Sequence, residues 1–152
     1  LWESTFSGDQ PFSFGDQEEM GLGVRLATPI VVRNKKGGRI LDNKGRINEK
    51  QIWGKDSLWC DYAGPVGDGF AGISIMPDPD NIRPCRWHVR DYGFMCANPF
   101  GHRAFKLGDK ARTTVEPSKP LSLGFGILIH SAADEASVDL HAAYSDYLEL
   151  KE

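Results

Sequence analysis

In LSLGFGILIH, residues 121–130, the apolar residues Leu121, Leu123, Phe125, Ile127 and Ile129 take every second position. A period of two places them on one face of an extended strand and gives a helix no single apolar side. The same period governs Met20, Leu22, Val24 and Leu26, which alternate with Glu19, Gly21, Gly23 and Arg25. Glycines on that second face leave room for a ligand or another backbone to come close. GKDSLWCDYAG sets Leu58, Cys60 and Tyr62 opposite Trp59 and Asp61, and GFAGISIM is closed by Pro77-Asp78-Pro79. Asn43-Lys44-Gly45 reads as a hairpin loop. The pattern predicts strands over 17–28, 69–75, 88–97 and 121–130.

Only the end changes period. Leu140, Ala143, Tyr144, Tyr147 and Leu148 recur at helical spacing, which predicts one C-terminal α-helix over 138–150 with Ser137 as its N-cap. With 17 Gly and 9 Pro in 152 residues, turns are frequent and long helices few. The expectation is a mainly β chain: one antiparallel β-sandwich domain spanning 1–152.

A formal net charge of −3 without a basic block gives no surface for neutralising phosphates, so no nucleic-acid partner is expected. The apolar runs fall far short of the roughly 20 residues that span a bilayer, so no membrane partner is expected. Cys60, Cys85 and Cys96 form no CxxC and read as buried thiols, with a Cys85–Cys96 bridge as the alternative. The sequence starts at Leu1 with neither a Met nor a signal peptide, so it reads as a fragment or a processed chain and names no compartment. Nothing in it sets an oligomeric state.

The densest chemistry lies in IRPCRWHVRDYGFMCANPFGHRAF, residues 82–105. If 86–92 is extended, Arg86, His88, Arg90 and Tyr92 share one face, and Trp87, Val89 and Asp91 the other. An Arg-His-Arg-Tyr row needs water, carboxylates or hydroxyls to satisfy it. Two flanking guanidinium groups hold His88 neutral, the state a proton-transfer group uses. Glu18, Glu19 and Glu49 supply carboxylates, and Trp53 and Trp87 flat rings. A carboxylate, a histidine and an aromatic plane are what a sugar site employs. The candidate catalytic residues are therefore His88, Glu19 and Glu49, and the candidate substrate-binding residues Arg25, Trp53, Trp87, Arg90 and Asn98, the last at the head of an Asn-Pro-Phe-Gly turn. For these to act together, His88 must lie within roughly 10 Å of Glu18, Glu19 or Glu49. His102 reads as a loop residue, and His130 and His141 as structural. No HxH, HExxH or GxGxxG followed by a helix occurs, so neither a metal nor a nucleotide cofactor is expected.

The words FGDQEEMGLGVRLATPI, GRILDNKGRINEKQIWGKDSLWCDYAG, PDPDNIRPCRWHVRDYGFMCANPFG and LGFGILIHS resemble, over nearly the whole chain, a bacterial family labelled PmoA, methane oxygenase. The activity in that label belongs to a membrane-spanning copper protein, for which these residues supply neither span nor ligands. The resemblance instead implies a sandwich of the galactose-mutarotase type. It implies a saccharide or glycan ligand, with a His and a Glu sharing proton transfer on a concave face. The resemblance further implies upstream strands in family members, with this chain expected as the C-terminal portion of a longer domain. A leader there would send the protein to the periplasm or outside. The alternative is a non-catalytic glycan-binding or structural β-sandwich module.

Overall fold

The computed structural model describes residues 1–134 and 137–151. The strands are β1 (Trp2–Phe6), β2 (Phe12–Phe14), β3 (Leu22–Arg25), β4 (Arg39–Asp42), β5 (Cys60–Val66), β6 (Gly69–Pro77), β7 (Arg86–Arg90), β8 (Phe94–Asn98), β9 (Thr113–Val115) and β10 (Leu121–Ala132). The helices are α1 (Asn48–Ile52) and α2 (Leu140–Glu149). The chain is mainly β. A five-stranded sheet runs β1-β10-β6-β5-β4, a three-stranded sheet β3-β8-β7, and β2 pairs with β9, all antiparallel.

Alternation explains how the sheets meet. Ile40, Tyr62, Ile75 and Leu123 from the large sheet share one core cluster with Trp87, Val89 and Met95 from the small one. The two sheets thus contribute to one common core. Residues of opposite parity in the large sheet turn the other way, where Trp59 and Met76 pack beneath Leu140 and Tyr147 of α2. No helix among the described residues is long and apolar enough to cross a membrane.

Several sequence expectations shift in detail. The strand expected over 17–28 shortens to β3, because Gly21 takes φ +151° and a Cβ there would lie 2.1 Å from the Ala97 carbonyl oxygen. The strand expected over 88–97 is two, β7 and β8, folded back on each other at Asp91–Gly93 with Arg90 opposite Phe94. Asp139 replaces Ser137 as the cap of α2: its side chain accepts from the N–H groups of His141 and Ala142, while Ser137 bonds to Asp134. The alternation in β10 outlasts the core, so Ile129 is 80% exposed. All three cysteines are free and buried, and burial pushes the Cys96 thiol up to about 12.

Candidate functional site

In β7, Trp87 and Val89 enter the core, so His88 and Arg90 face outward from the three-stranded sheet. Their register partners there are Cys96 and Gly23, then Phe94 and Arg25. This face is covered from two directions. From one, the turn before β3 brings down Glu18 and Glu19; from the other, α1 brings Glu49 and the residue after it brings Trp53.

Arg90 joins these pieces. Its Nη1 is 2.7 Å from Glu49 Oε1 and its Nη2 is 3.1 Å from Glu18 Oε2. Glu49 also accepts from the Asp91 N–H at 3.0 Å through Oε2, and its own N–H donates to Asp91 at 3.1 Å. Burial opposes charge on Glu49, but the Asp91 N–H and the Arg90 guanidinium outweigh it and hold the carboxyl below the usual range.

His88 lies beneath. Its Nδ1 is 3.3 Å from Glu18 Oε2 and 3.3 Å from the Trp53 indole nitrogen. Its Nε2 is 3.4 Å from Glu19 Oε1 and 3.1 Å from Arg90 Nε. Each ring nitrogen therefore has one donor and one acceptor beside it, so both neutral tautomers are served. With the proton on Nδ1, it donates to Glu18 and Nε2 accepts from Arg90. With the proton on Nε2, it donates to Glu19 and Nδ1 accepts from Trp53. Burial first, then Arg90, lowers the pKa of His88 against the raising influence of Glu18, Glu19 and Glu49.

Exposure separates the roles. His88 is 1% exposed, whereas the side chains of Glu18 and Glu19 are 40% and 57% exposed. A ligand on this face meets the carboxylates, and His88 acts on it only through them. Trp53 flanks the cluster with Phe105 edge-on at 5.5 Å and Lys106 Nζ 6.0 Å from its ring. At the rim, Arg25 lies over the Phe94 and Tyr92 rings at 5.0 and 5.8 Å, and Phe94 meets His88 edge-on at 5.6 Å.

Two expected ligand contacts are corrected. Trp87 is fully buried on the core side of β7, its indole N–H donating to Ser57; strand alternation keeps it off the His88 face. Asn98 is 1% exposed, and its amide is committed on both sides: it donates to the Gln17 and Glu18 carbonyls and accepts from the Phe100 and Gly101 N–H groups. It positions Glu18 and has no group left for a ligand. The part played by Asp91 was not anticipated, although the Arg-Asp-Tyr-Gly order that turns the hairpin was a signal for it. Among the described residues, no group of three or more His, Cys, Asp or Glu side chains is arranged to hold a metal ion.

A family model described as a family of unknown function, DUF6807, matches residues 2–143. The chain belongs to DUF6807. No curated protein and no solved structure matches it. The expected membership of a PmoA, methane oxygenase family is thereby corrected, since the family found is DUF6807. The galactose-mutarotase likeness drawn through that membership falls with it. In this DUF6807 chain the whole cluster from Glu18 to Lys106 lies inside the matched span.

Proposed function

We propose that the His88 face binds a saccharide and exchanges protons with it through Glu19 and Glu18. The observation that carries this reading is the placing of one buried imidazole between two solvent-reaching carboxylates, 3.3 and 3.4 Å from opposite ring nitrogens. His88 passes its Nδ1 proton to Glu18, which gives one to the ligand, while Glu19 takes one from the ligand and passes it to Nε2. His88 thereby changes tautomer, both carboxylates end as they began and net charge on the face is conserved. Arg90 and Glu49 fix the geometry. Trp53 offers a ring face to the C–H side of a sugar, and Arg25 an exposed donor at the rim.

A second reading has its own support. His88 is sealed, and Arg90, Glu18 and Glu49 already pair with one another, which suits a rigid binding surface with no reaction. Calorimetric titration with mono- and oligosaccharides, alongside NMR of the sugar itself, separates the two. An enzyme changes the sugar, and Glu19→Gln stops that change while retaining most affinity. A binding module gives saturable heat, an unchanged sugar, and weaker binding in Trp53→Ala. No saccharide bound by the wild type overturns both.

A further inference from the structure

Three buried side-chain polar atoms lack a hydrogen-bond partner among the described residues: Trp59 Nε1, Ser74 Oγ and His130 Nδ1. None belongs to the His88 face. All three lie on or beside the five-stranded sheet, at positions whose parity turns them away from the Trp87 core. Asp61 and Ser74 are register partners, and His130 on β10 stands opposite Gly72 on β6. Because Gly72 has no side chain, the imidazole passes over β6 and puts Nε2 2.8 Å from Asp61 Oδ1. Both side chains are more than nine-tenths buried, at 7% and 3% exposed. A carboxylate at Asp61 accepts from Nε2–H, and in that neutral tautomer Nδ1 carries a lone pair.

A cavity of about 740 Å³ opens over this pair, walled by Trp59, Asp61, Phe70, His130, Leu140 and His141. That volume falls within the usual range for small-molecule sites. Unpaired buried polar atoms are uncommon in native proteins, and two of the three, on Trp59 and His130, belong to residues that wall this one cavity, which calls for an occupant.

We propose that this cavity is a second binding site, specific for a neutral, hydroxyl-rich small molecule of the hexose or polyol class. A hydroxyl can accept from the Trp59 N–H and donate to His130 Nδ1. Phe70, Trp59 and Leu140 cover C–H surface. An anion would face Asp42, Asp61, Asp134 and Asp139, which also line the cavity, against Arg39. A cation finds those carboxylates engaged: Asp42 by Arg46, Asp61 by His130, Asp134 by Ser137, and Asp139 by the first N–H groups of α2. His141, exposed in the first turn of α2, packs edge-on against Trp59 at 5.3 Å. It is the part of the wall that moves aside to admit a ligand.

The test is an NMR titration of the ¹⁵N-labelled chain with D-glucose, D-galactose, sorbitol, phosphate, succinate and putrescine. Trp53→Phe and Trp59→Phe assign the two indole signals, so this site and the His88 face are read separately. The expected result is a saturable shift of the Trp59 indole and the His130 ring nitrogens with at least one hexose or polyol and with none of the ions. Trp59→Phe, which keeps a ring but loses the donor, should weaken that binding about fivefold, as read from the His130 signals. A Trp59 indole unmoved by every polyol, or moved equally by succinate, would overturn the proposal and leave a water-filled cavity. A shift confined to Trp53 would overturn it too, while supporting the His88 face. The His130 signals of the wild-type chain keep the result decisive if Trp59→Phe folds poorly.

Discussion

Asn98 holds Glu18 by its main chain: the Asn98 amide nitrogen lies 2.9 Å from the Glu18 carbonyl oxygen and 2.7 Å from that of Gln17. The turn carrying both carboxylates is thereby tied to the end of β8. The same amide's oxygen receives two N–H groups of the Asn-Pro-Phe-Gly turn, so one buried side chain sets two loops at once.

Asn98→Ala should therefore lower the unfolding free energy by about 3 kcal/mol or more, because four main-chain groups lose their partner, the Phe100 and Gly101 N–H groups in a buried place. Urea denaturation measures it. A loss under about 1 kcal/mol would show that the amide does not anchor the turn.

Gly21 and Gly45 both have positive φ, yet they should respond differently to alanine. At Gly21 (φ +151°) the added carbon meets the Ala97 carbonyl oxygen at 2.1 Å, and backbone cannot swing away as a side chain can. At Gly45 (φ +72°) nothing lies within 4 Å. Gly21→Ala should cost about 3 kcal/mol or more, through clash and strain together, and Gly45→Ala about 1 kcal/mol through strain alone. Thermal melts of the two variants compare them directly, and equal losses would refute the assigned clash.

The two tryptophans near the site should part in the same way. Trp87 is wholly buried and Trp53 only partly. Trp87→Ala opens a large core cavity and should remove about 3 to 5 kcal/mol of stability. Trp53→Ala should cost far less stability and weaken saccharide binding at the His88 face, as calorimetry would record. Comparable destabilisation by both would mean that Trp53 is a core residue.

How much of this was legible follows from where the interactions run. Alternation alone puts His88 and Arg90 on one face and Trp87 on the other, since a strand's parity is local; it does not say that the second face is the core, which is why the sequence reads Trp87 as a ligand contact. It could not bring Glu18 and Glu19 to one imidazole. A strand places neighbouring residues on opposite faces; here both precede β3, in a turn shaped by Gly21 and by the distant Asn98. The Asp61–His130 pair was equally hidden, because its partners sit on strands that are separated by β6 and come together only when β10 returns. Ser137 and Asp139 are both capping-type residues two positions apart, and local pattern does not rank them; Asp139 is the cap of α2.

Asp16 should govern part of the acid stability. Its carboxylate accepts from four main-chain N–H groups, those of His102, Arg103, Ala104 and Ala111. Burial opposes its charge, but the four donors prevail and hold the carboxyl well below the usual range. With the folded pKa depressed, the stabilisation is complete above about pH 3.9 and is lost as pH falls below it. Asp16→Asn replaces one acceptor oxygen by an NH₂ group facing two N–H donors. It should destabilise the chain by about 2 to 4 kcal/mol at neutral pH and flatten the acid limb of the stability curve. An unchanged acid limb would remove Asp16 from that role.

His88 should set the next window up. Its folded pKa is lowered, chiefly by burial and then by Arg90, while an unfolded histidine binds its proton near about pH 6.5. Between those values the unfolded chain holds more protons, so stability rises with pH. The contribution is complete above about pH 6.5 and fades as pH falls through the folded value. Glu18, Glu19 and Glu49 face the same ring and would welcome a proton on it, but Arg90 Nε and the Trp53 N–H each point at a ring nitrogen that protonation turns into a donor. His88→Gln removes the titration and keeps one donor and one acceptor. The urea midpoint should therefore fall steeply between about pH 7 and about pH 5 in the wild type and less in His88→Gln. Parallel slopes would mean that His88 takes up its proton as readily folded as unfolded, and the neutral imidazole on which the proton exchange depends would be lost with it.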